Sequence, residues 1–404
     1  MRRPSTSRVA SPASHRSPVG VALLFATNGA VFSSVLPWYP TLKDQWGLGD
    51  LTFGTIVAAF AAGSLLSTVL PSLAVNRYGP RRVVWWGTVA VALLVAAVGW
   101  SSSGLMLAAL LLGIGLLDAI VDVSQNVAGV RVEARLGRSI LSSMHACWSL
   151  GAVAGGVGGT YAASTGTDIR LHLAIVAAAV IAVVTLGEWL TGPLPPDPAE
   201  TTEGDHGGVG TRGSILRLMW ITLPVALVAT SGTSIEDIAN NWAGLASVEL
   251  AGVALGQAGV AFTVVLAAQT VGRFTGDRLI DHFGRVAVAR TGGVLIALGG
   301  VLVVAAATPW LLYLGFALAG FGCATLVPSA FAAAATLPGV SEGAGVTAVS
   351  WLMRIGFLAT SPVLGALSDA TDLRWALLLL VVAGAVVVVL APALRDQPRS
   401  GAGT

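Results

Sequence analysis

The chain has 404 residues, 55% of them hydrophobic and only 10% charged, with a mean hydropathy of +0.81. A water-soluble protein of that size needs far more charge to cover its surface, so a soluble domain is excluded and an integral membrane protein is expected. The formal net charge of +2 excludes nothing by itself; the placement of the charges does.

A polar tail, 1–18, opens the chain. Twelve apolar spans follow, near 19–40, 51–75, 83–101, 104–130, 139–164, 171–191, 215–246, 252–275, 287–307, 310–335, 343–368 and 373–394. Most are close to the roughly 20 residues that cross a bilayer core as a helix. A Pro-, Gly- and acid-rich stretch, "TGPLPPDPAETTEGDHGGVGTRG", cannot bury a core and reads as a linker over 192–214. It separates a six-span unit, 19–191, from a second, 215–394, and a short polar tail closes the chain at 395–404. The basic start followed by an apolar run could mimic a signal peptide, but the run is long and opens a polytopic series, so cleavage is not expected.

With the N-terminus placed in the cytoplasm, eighteen of the 22 Lys and Arg residues fall on the inner side. Only Lys43, Arg170 and Arg374 fall outside, and Arg354 lies within a span. That bias predicts a multi-pass protein of the plasma (inner) membrane with both termini cytoplasmic. Ten of the twelve Trp residues, Trp38 and Trp242 among them, fall near span ends and read as interfacial anchors. Trp148 and Trp351 lie near mid-span. Cys147 and Cys323 both fall inside apolar spans, which supports neither a disulfide framework nor a thiolate metal site. There is no Walker loop and no metal-ligand spacing, so an enzyme, a cofactor or a metal is not expected, and neither is a nucleic-acid partner.

Two charged stretches recur: "SLAVNRYGPRR" (Ser72 to Arg82) and "GDRLIDHFGR" (Gly276 to Arg285). Each follows the second span of its half, and Gly79 and Gly284 stand 205 residues apart, close to half the chain. This predicts an internal duplication with both halves in one orientation, one of the transporter architectures. The stretch around Gly284 resembles the loop signature of the major facilitator superfamily, Gly-x-x-x-Asp-Arg-x-Gly-Arg-Arg/Lys. Asp281, Gly284 and Arg285 fit it, while His282 stands where Arg is usual. In the first copy Asn76 replaces Asp, Ser72 replaces Gly, and Pro80 separates Gly79 from Arg81. The resemblance implies an all-α membrane protein, with twelve transmembrane helices forming two pseudo-symmetric six-helix bundles. It also implies a cytoplasmic gate at Asn76, Arg77, Gly79 and Arg81, and at Asp277, Arg278, Asp281, Gly284 and Arg285. Asn76 keeps a hydrogen bond but not a charge toward a helix N-terminus, so the first latch should be the weaker.

"DVSQNVAGVRVEARLGRSILSSMHACWSLGAVAGG", Asp122 to Gly156, is similar to a bacterial inner-membrane branch related to the fucose–proton symporter. That implies a small polar solute. The fifth span lacks the Gly-Pro pair of drug–proton antiporters, which favours symport over efflux.

Ionisable groups inside a membrane are costly and face an interior or a watery cavity. Asp118, Asp122 and Asn126, four residues apart, form one stripe on the fourth span. Neighbouring carboxylates repel, which favours one of them holding a proton. Asp122 and His145 both lie about 10 Å inside the same end. Asp118, Asp122 and His145 are therefore the proton-coupling candidates, the alternative being that Asp122, Asn126 and His145 lock the hairpin of spans four and five or the cytoplasmic gate. Arg354, roughly 17 Å into the eleventh span, requires an anion. Either it pairs with Glu236 or Asp237 of the seventh span, or it binds substrate. Asn126, Trp148, Glu236, Asp237, Trp351 and Arg354 are the substrate-binding candidates. Asn28, Asn240, Asn241 and Gln269 can add hydrogen bonds.

The expected activity is secondary active transport of a small polar solute by alternating access, with proton symport. The alternatives are proton-driven efflux of amphipathic compounds and a solute sensor. The expected partners are the solute, protons and the bilayer; the oligomeric state stays open, with a monomer favoured.

Overall fold

A computed structural model describes residues 13–68, 70–136, 140–194, 212–338, 340 and 342–395. The tails 1–18 and 395–404 and the linker 192–214 lie largely outside these residues. The N-terminal half runs α1 (Ala13–Ser33), α2 (Tyr39–Gln45), α3 (Asp50–Leu66), α4 (Leu70–Tyr78), α5 (Pro80–Val98), α6 (Gly104–Leu136), α7 (Leu141–Ser164) and α8 (Ile169–Thr191). The C-terminal half runs α9 (Arg212–Asn241), α10 (Ala243–Ala251), α11 (Gly259–Phe283), α12 (Arg285–Val304), α13 (Pro309–Cys323), α14 (Leu326–Ala334), α15 (Glu342–Ala370), α16 (Leu373–Ala376) and α17 (Leu378–Leu390). No strand occurs among the described residues.

Each expected span falls on one helix or on a broken pair. Among the described residues, ten helical segments are long and apolar enough to cross a bilayer, and eleven if α3 and α4, bent by 55°, form one span. The remaining expected span is α7, 24 residues long but diluted by Gly, Ser and His. Its glycines let α1 come close: a Cβ at Gly151 or Gly155 would overlap the Ala26 or Ala30 carbonyl of α1.

The duplication is visible in the backbone. Gly79 joins α4 to α5 and Gly284 joins α11 to α12, with φ of +80° and +79° and ψ of 148° and 153°. Glycine alone holds that region without strain. Gly79→Ala and Gly284→Ala are each expected to destabilise the protein by about 1–3 kcal/mol, read as a lower thermal midpoint in detergent. An unchanged midpoint for both would show that these junctions relax freely.

The charged repeats also take a form that the span boundaries did not anticipate. They are not loops: α4 continues to Tyr78 and α11 to Phe283, so "GDRLIDHF" forms the last two turns of α11. A second repeated feature corrects the tryptophan reading. The first span breaks after α1, through a 3-10 turn at Leu36–Trp38, and the seventh breaks between α9 and α10. Trp38 and Trp242 are buried at those breaks. The Trp38 indole N–H donates to Nδ1 of His172 at 3.1 Å and that of Trp242 donates to Ser361 Oγ at 3.0 Å. Each indole has found its polar partner inside the protein, so neither anchors at the lipid interface. Trp86, Trp189, Trp220 and Trp310 are exposed, as interfacial anchors should be.

The halves meet where α3 packs along α15 and α7 against α11. Their closest approaches lie toward the end remote from the chain termini, here called the distal end. A Cβ at Gly54 would overlap the Ser361 carbonyl, one at Gly365 the Asp50 carbonyl, and one at Gly256 the backbone of Ala163 and Ser164.

Candidate functional site

Between the halves lies a cavity of about 180 Å3, walled by α1, α3, α6 and α7 on one side and by α9 and α11 on the other. Asn28 of α1 is the centre of the first wall. Its carbonyl accepts the Trp148 indole N–H at 2.7 Å, and its amide donates to Asp118 Oδ1 at 2.8 Å. Trp148 thus sets which way the Asn28 amide faces, and Asn28 sets the Asp118 carboxylate. The second carboxylate oxygen of Asp118 has no hydrogen-bond partner among the described residues and is available to a proton or a solute hydroxyl.

The opposite wall carries an ion pair. Arg273 of α11 places Nη2 at 2.7 Å from Glu236 Oε1 on α9, and the Gln269 amide donates to the same oxygen. Asn240 lines the cavity beside them. Phe32 and Phe60 stack with ring centroids 4.4 Å apart and, with Phe262, supply an apolar surface. The result is polar groups on two facing walls with aromatic faces between, a common pattern for small-solute sites.

Toward the termini, polar groups of both halves become exposed. Asp122, one turn from Asp118, is exposed, as are His145, Arg273 and Arg354. Asp122 lies within electrostatic range of His145 and Arg354, and His145 within range of Arg273. Groups from both halves therefore surround one open mouth. Among the described residues, Asp122 Oδ1 accepts only from its own helix, from Gln125 at 3.3 Å and Asn126 at 3.2 Å. Asn126, whose amide also donates to the Asp122 carbonyl at 2.8 Å, is bound back onto α6 and does not line the cavity.

Three other candidates are placed differently from expectation. Asp237 is 3% exposed and faces away from the cavity. It accepts from Asn241 at 2.8 Å and from the Ser361 hydroxyl, so it ties α9 to α15. Arg354 pairs with neither Glu236 nor Asp237, since both are otherwise engaged. Its Nη1 donates to Ser64 Oγ at 3.4 Å, across the interface between the halves. Trp351 is 45% exposed and outside the cavity lining.

Arg273 is not legible as a site residue in the sequence, because the expected eighth span, 252–275, puts it at the span's charged end. Continuation of α11 to Phe283 places Arg273 about 15 Å from that helix end. Phe32, Phe60 and Phe262 carry no sequence signal that separates them from ordinary apolar residues. Arg273→Ala is expected to lower the initial rate of solute transport about ten-fold by leaving Glu236 without its guanidinium. Arg273→Lys should recover part of the loss, and wild-type rates in Arg273→Ala would remove the pair from the site.

The gate candidates all lie at the termini end. Arg81 Nε is 2.8 Å from Glu188 Oε1, which joins α5 to α8, and Arg77 lies 5.4 Å from the Tyr78 ring. Asp277, Arg278 and Asp281 are exposed on the last turns of α11. The distal end, in contrast, is closed by charge. Lys43 Nζ is 2.6 Å from Asp50 in its own half and 3.0 Å from Glu249 in the other. Asp369 of α15 accepts the backbone N–H groups of Asp50 and Leu51 at 2.9 and 3.2 Å, capping the N-terminus of α3 across the interface. The Ser368 hydroxyl also binds Asp50.

Residues 21–247 and 226–404 each match the family model described as Major Facilitator Superfamily. The chain is 28% identical to an uncharacterized transporter, y4wD, of Sinorhizobium fredii, over 93% of this chain and 98% of the relative. It is 30% identical to the membrane protein MosC of Rhizobium meliloti, over 94% of this chain and 90% of the relative. Its fold is similar to that of a crystal structure of a mutant nucleoside transporter NupG, with a TM-score of 0.72 at 14% identity, covering 95% of this chain and 98% of that one.

Proposed function

The chain belongs to the Major Facilitator Superfamily and is a membrane transporter, and from that premise we propose that it moves a small polar solute by proton-coupled symport. The observation that carries this reading is Asp118: a carboxylate in the wall of a cavity between the two halves, held among the described residues by one hydrogen bond, from Asn28, which leaves its second oxygen without a partner there. A proton on that oxygen makes Asp118 a donor; its loss makes Asp118 an acceptor and a charge. The solute then sits between two different walls, the Asp118–Asn28–Trp148 chain of one half and the Glu236–Arg273–Gln269 group of the other. Because the walls belong to separate bundles, rocking the bundles about the cavity turns it from one side to the other. Asp122 and His145, exposed in the open mouth, are suited to pass a proton between water and Asp118. We place the termini and this mouth on the cytoplasmic side of the inner membrane, because the Lys and Arg excess lies at that end.

The test combines a thermal-shift screen of the purified protein with flux. Sugars, organic acids, nucleosides and drugs form the panel, nucleosides included because NupG is a nucleoside transporter. The hit is then offered to proteoliposomes under an imposed proton gradient. Accumulation that a protonophore abolishes supports the proposal. Uptake that ignores the gradient refutes proton coupling, and solute leaving in exchange for entering protons refutes symport in favour of efflux.

A further inference from the structure

We infer that the pocket of about 330 Å3 where α1 begins and α6 and α8 end binds the phosphate-bearing headgroup of an anionic phospholipid. Its wall holds two arginines, Arg16 and Arg135, with Ser17, Trp189 and the turn through Gly192 and Pro193, and no carboxylate. Arg135 is held in place by neutral oxygens: Nη1 donates to Ser17 Oγ at 3.3 Å and Nη2 to the Pro193 carbonyl. Ser17 in turn donates to the Thr191 carbonyl at 2.9 Å. These contacts neutralise the carbonyl end of α8 and leave Arg135 three further N–H groups. Arg16 is exposed and has no hydrogen bond or ion pair among the described residues. The acid nearest along α8, Glu188, already faces Arg81 at 2.8 Å.

Two guanidiniums thus open on one pocket at the level where α1, α6 and α8 leave the bilayer. An oxyanion between them offsets their repulsion, and the planar fork of arginine fits phosphate oxygens. The flanks suit a lipid better than a free ion. Trp189 is 64% exposed beside the pocket, and Leu186 and Val19 present apolar surface one turn deeper, where acyl chains would run. Basic pockets between transmembrane helices recognise phosphate headgroups in this way.

The purified protein in neutral detergent is titrated with phosphatidylglycerol, phosphatidylcholine or inorganic phosphate, and the thermal midpoint is followed. Phosphatidylglycerol is expected to raise the midpoint, and the other two are not. Arg16→Ala should raise the half-saturating phosphatidylglycerol concentration about five-fold. Arg135→Lys, which keeps a donor for the Pro193 carbonyl, should weaken binding without loss of fold. Arg290→Ala, at an exposed arginine of α12 away from the pocket, should leave it unchanged. The proposal is overturned if Arg16→Ala binds as the wild type does, if Arg290→Ala weakens binding equally, or if inorganic phosphate alone reproduces the shift.

Discussion

Asp118→Asn is expected to abolish proton-driven accumulation of the solute while leaving solute exchange measurable. The amide retains the shape and can still bind Asn28, so the cavity wall should survive. What it cannot do is take up and release a proton. With one proton per solute, a gradient of one pH unit supports an accumulation ratio of about ten, the equivalent of ~1.4 kcal/mol. In the variant that ratio should fall to about one, while counterflow of labelled solute, which needs no net proton movement, persists. The parallel variant Asp122→Asn locates the coupling. Asp122 has no hydrogen-bond partner outside its own helix among the described residues, and the free oxygen on the cavity wall belongs to Asp118. Its loss should therefore slow uptake without removing accumulation. If both variants accumulate solute as the wild type does, neither carboxylate couples.

The second large effect is expected from a residue with no chemistry. Gly54 of α3 faces the backbone of Ser361 on α15, and a Cβ there would fall under 3.0 Å from the Ser361 carbonyl oxygen and carbon. Backbone cannot move aside as a flexible side chain can, so Gly54→Val should force α3 and α15 apart at the distal end. Overpacking of this kind costs about 1–3 kcal/mol, enough to shift a closed-to-open equilibrium by roughly five- to 150-fold. The Lys43, Asp50, Glu249 and Asp369 contacts would open with it, because they span the same interface. The measurement is labelling of a cysteine placed at Ala239, on the cavity wall, by an impermeant reagent from each side of the membrane. Distal labelling should rise and transport fall at least ten-fold. Wild-type labelling in Gly54→Val would mean that the distal closure tolerates a side chain there and is not set by this contact.

These two residues show where sequence reasoning reaches. Asp118 was identified as an acid on an apolar span, because a carboxylate in a membrane needs a reason to be there. Gly54 carries no such mark, being one glycine among 50. Its importance comes from a carbonyl some three hundred residues away. The ion pairs show the same limit. Arg354 demanded an anion on physical grounds and Glu236 was available, but whether the two side chains share a face depends on helix rotation. The structure instead pairs Glu236 with Arg273, a residue that the span boundaries place only two positions from the end of the eighth span.

What the sequence determined by itself was the membrane class, the succession of spans, the duplication about Gly79 and Gly284, and the presence of buried acids. All of these follow from local composition and period, which a bilayer converts directly into helices because every backbone polar group must be satisfied within its own segment. What only the tertiary structure decided was which polar side chains meet. The Asn28 bridge between Trp148 and Asp118, the Glu236–Arg273 pair and the Asp369 cap on α3 each join groups from different helices. Their partnership depends on the rotation, depth and bend of each helix, and those are set by close packing between backbones rather than by any residue's own preference.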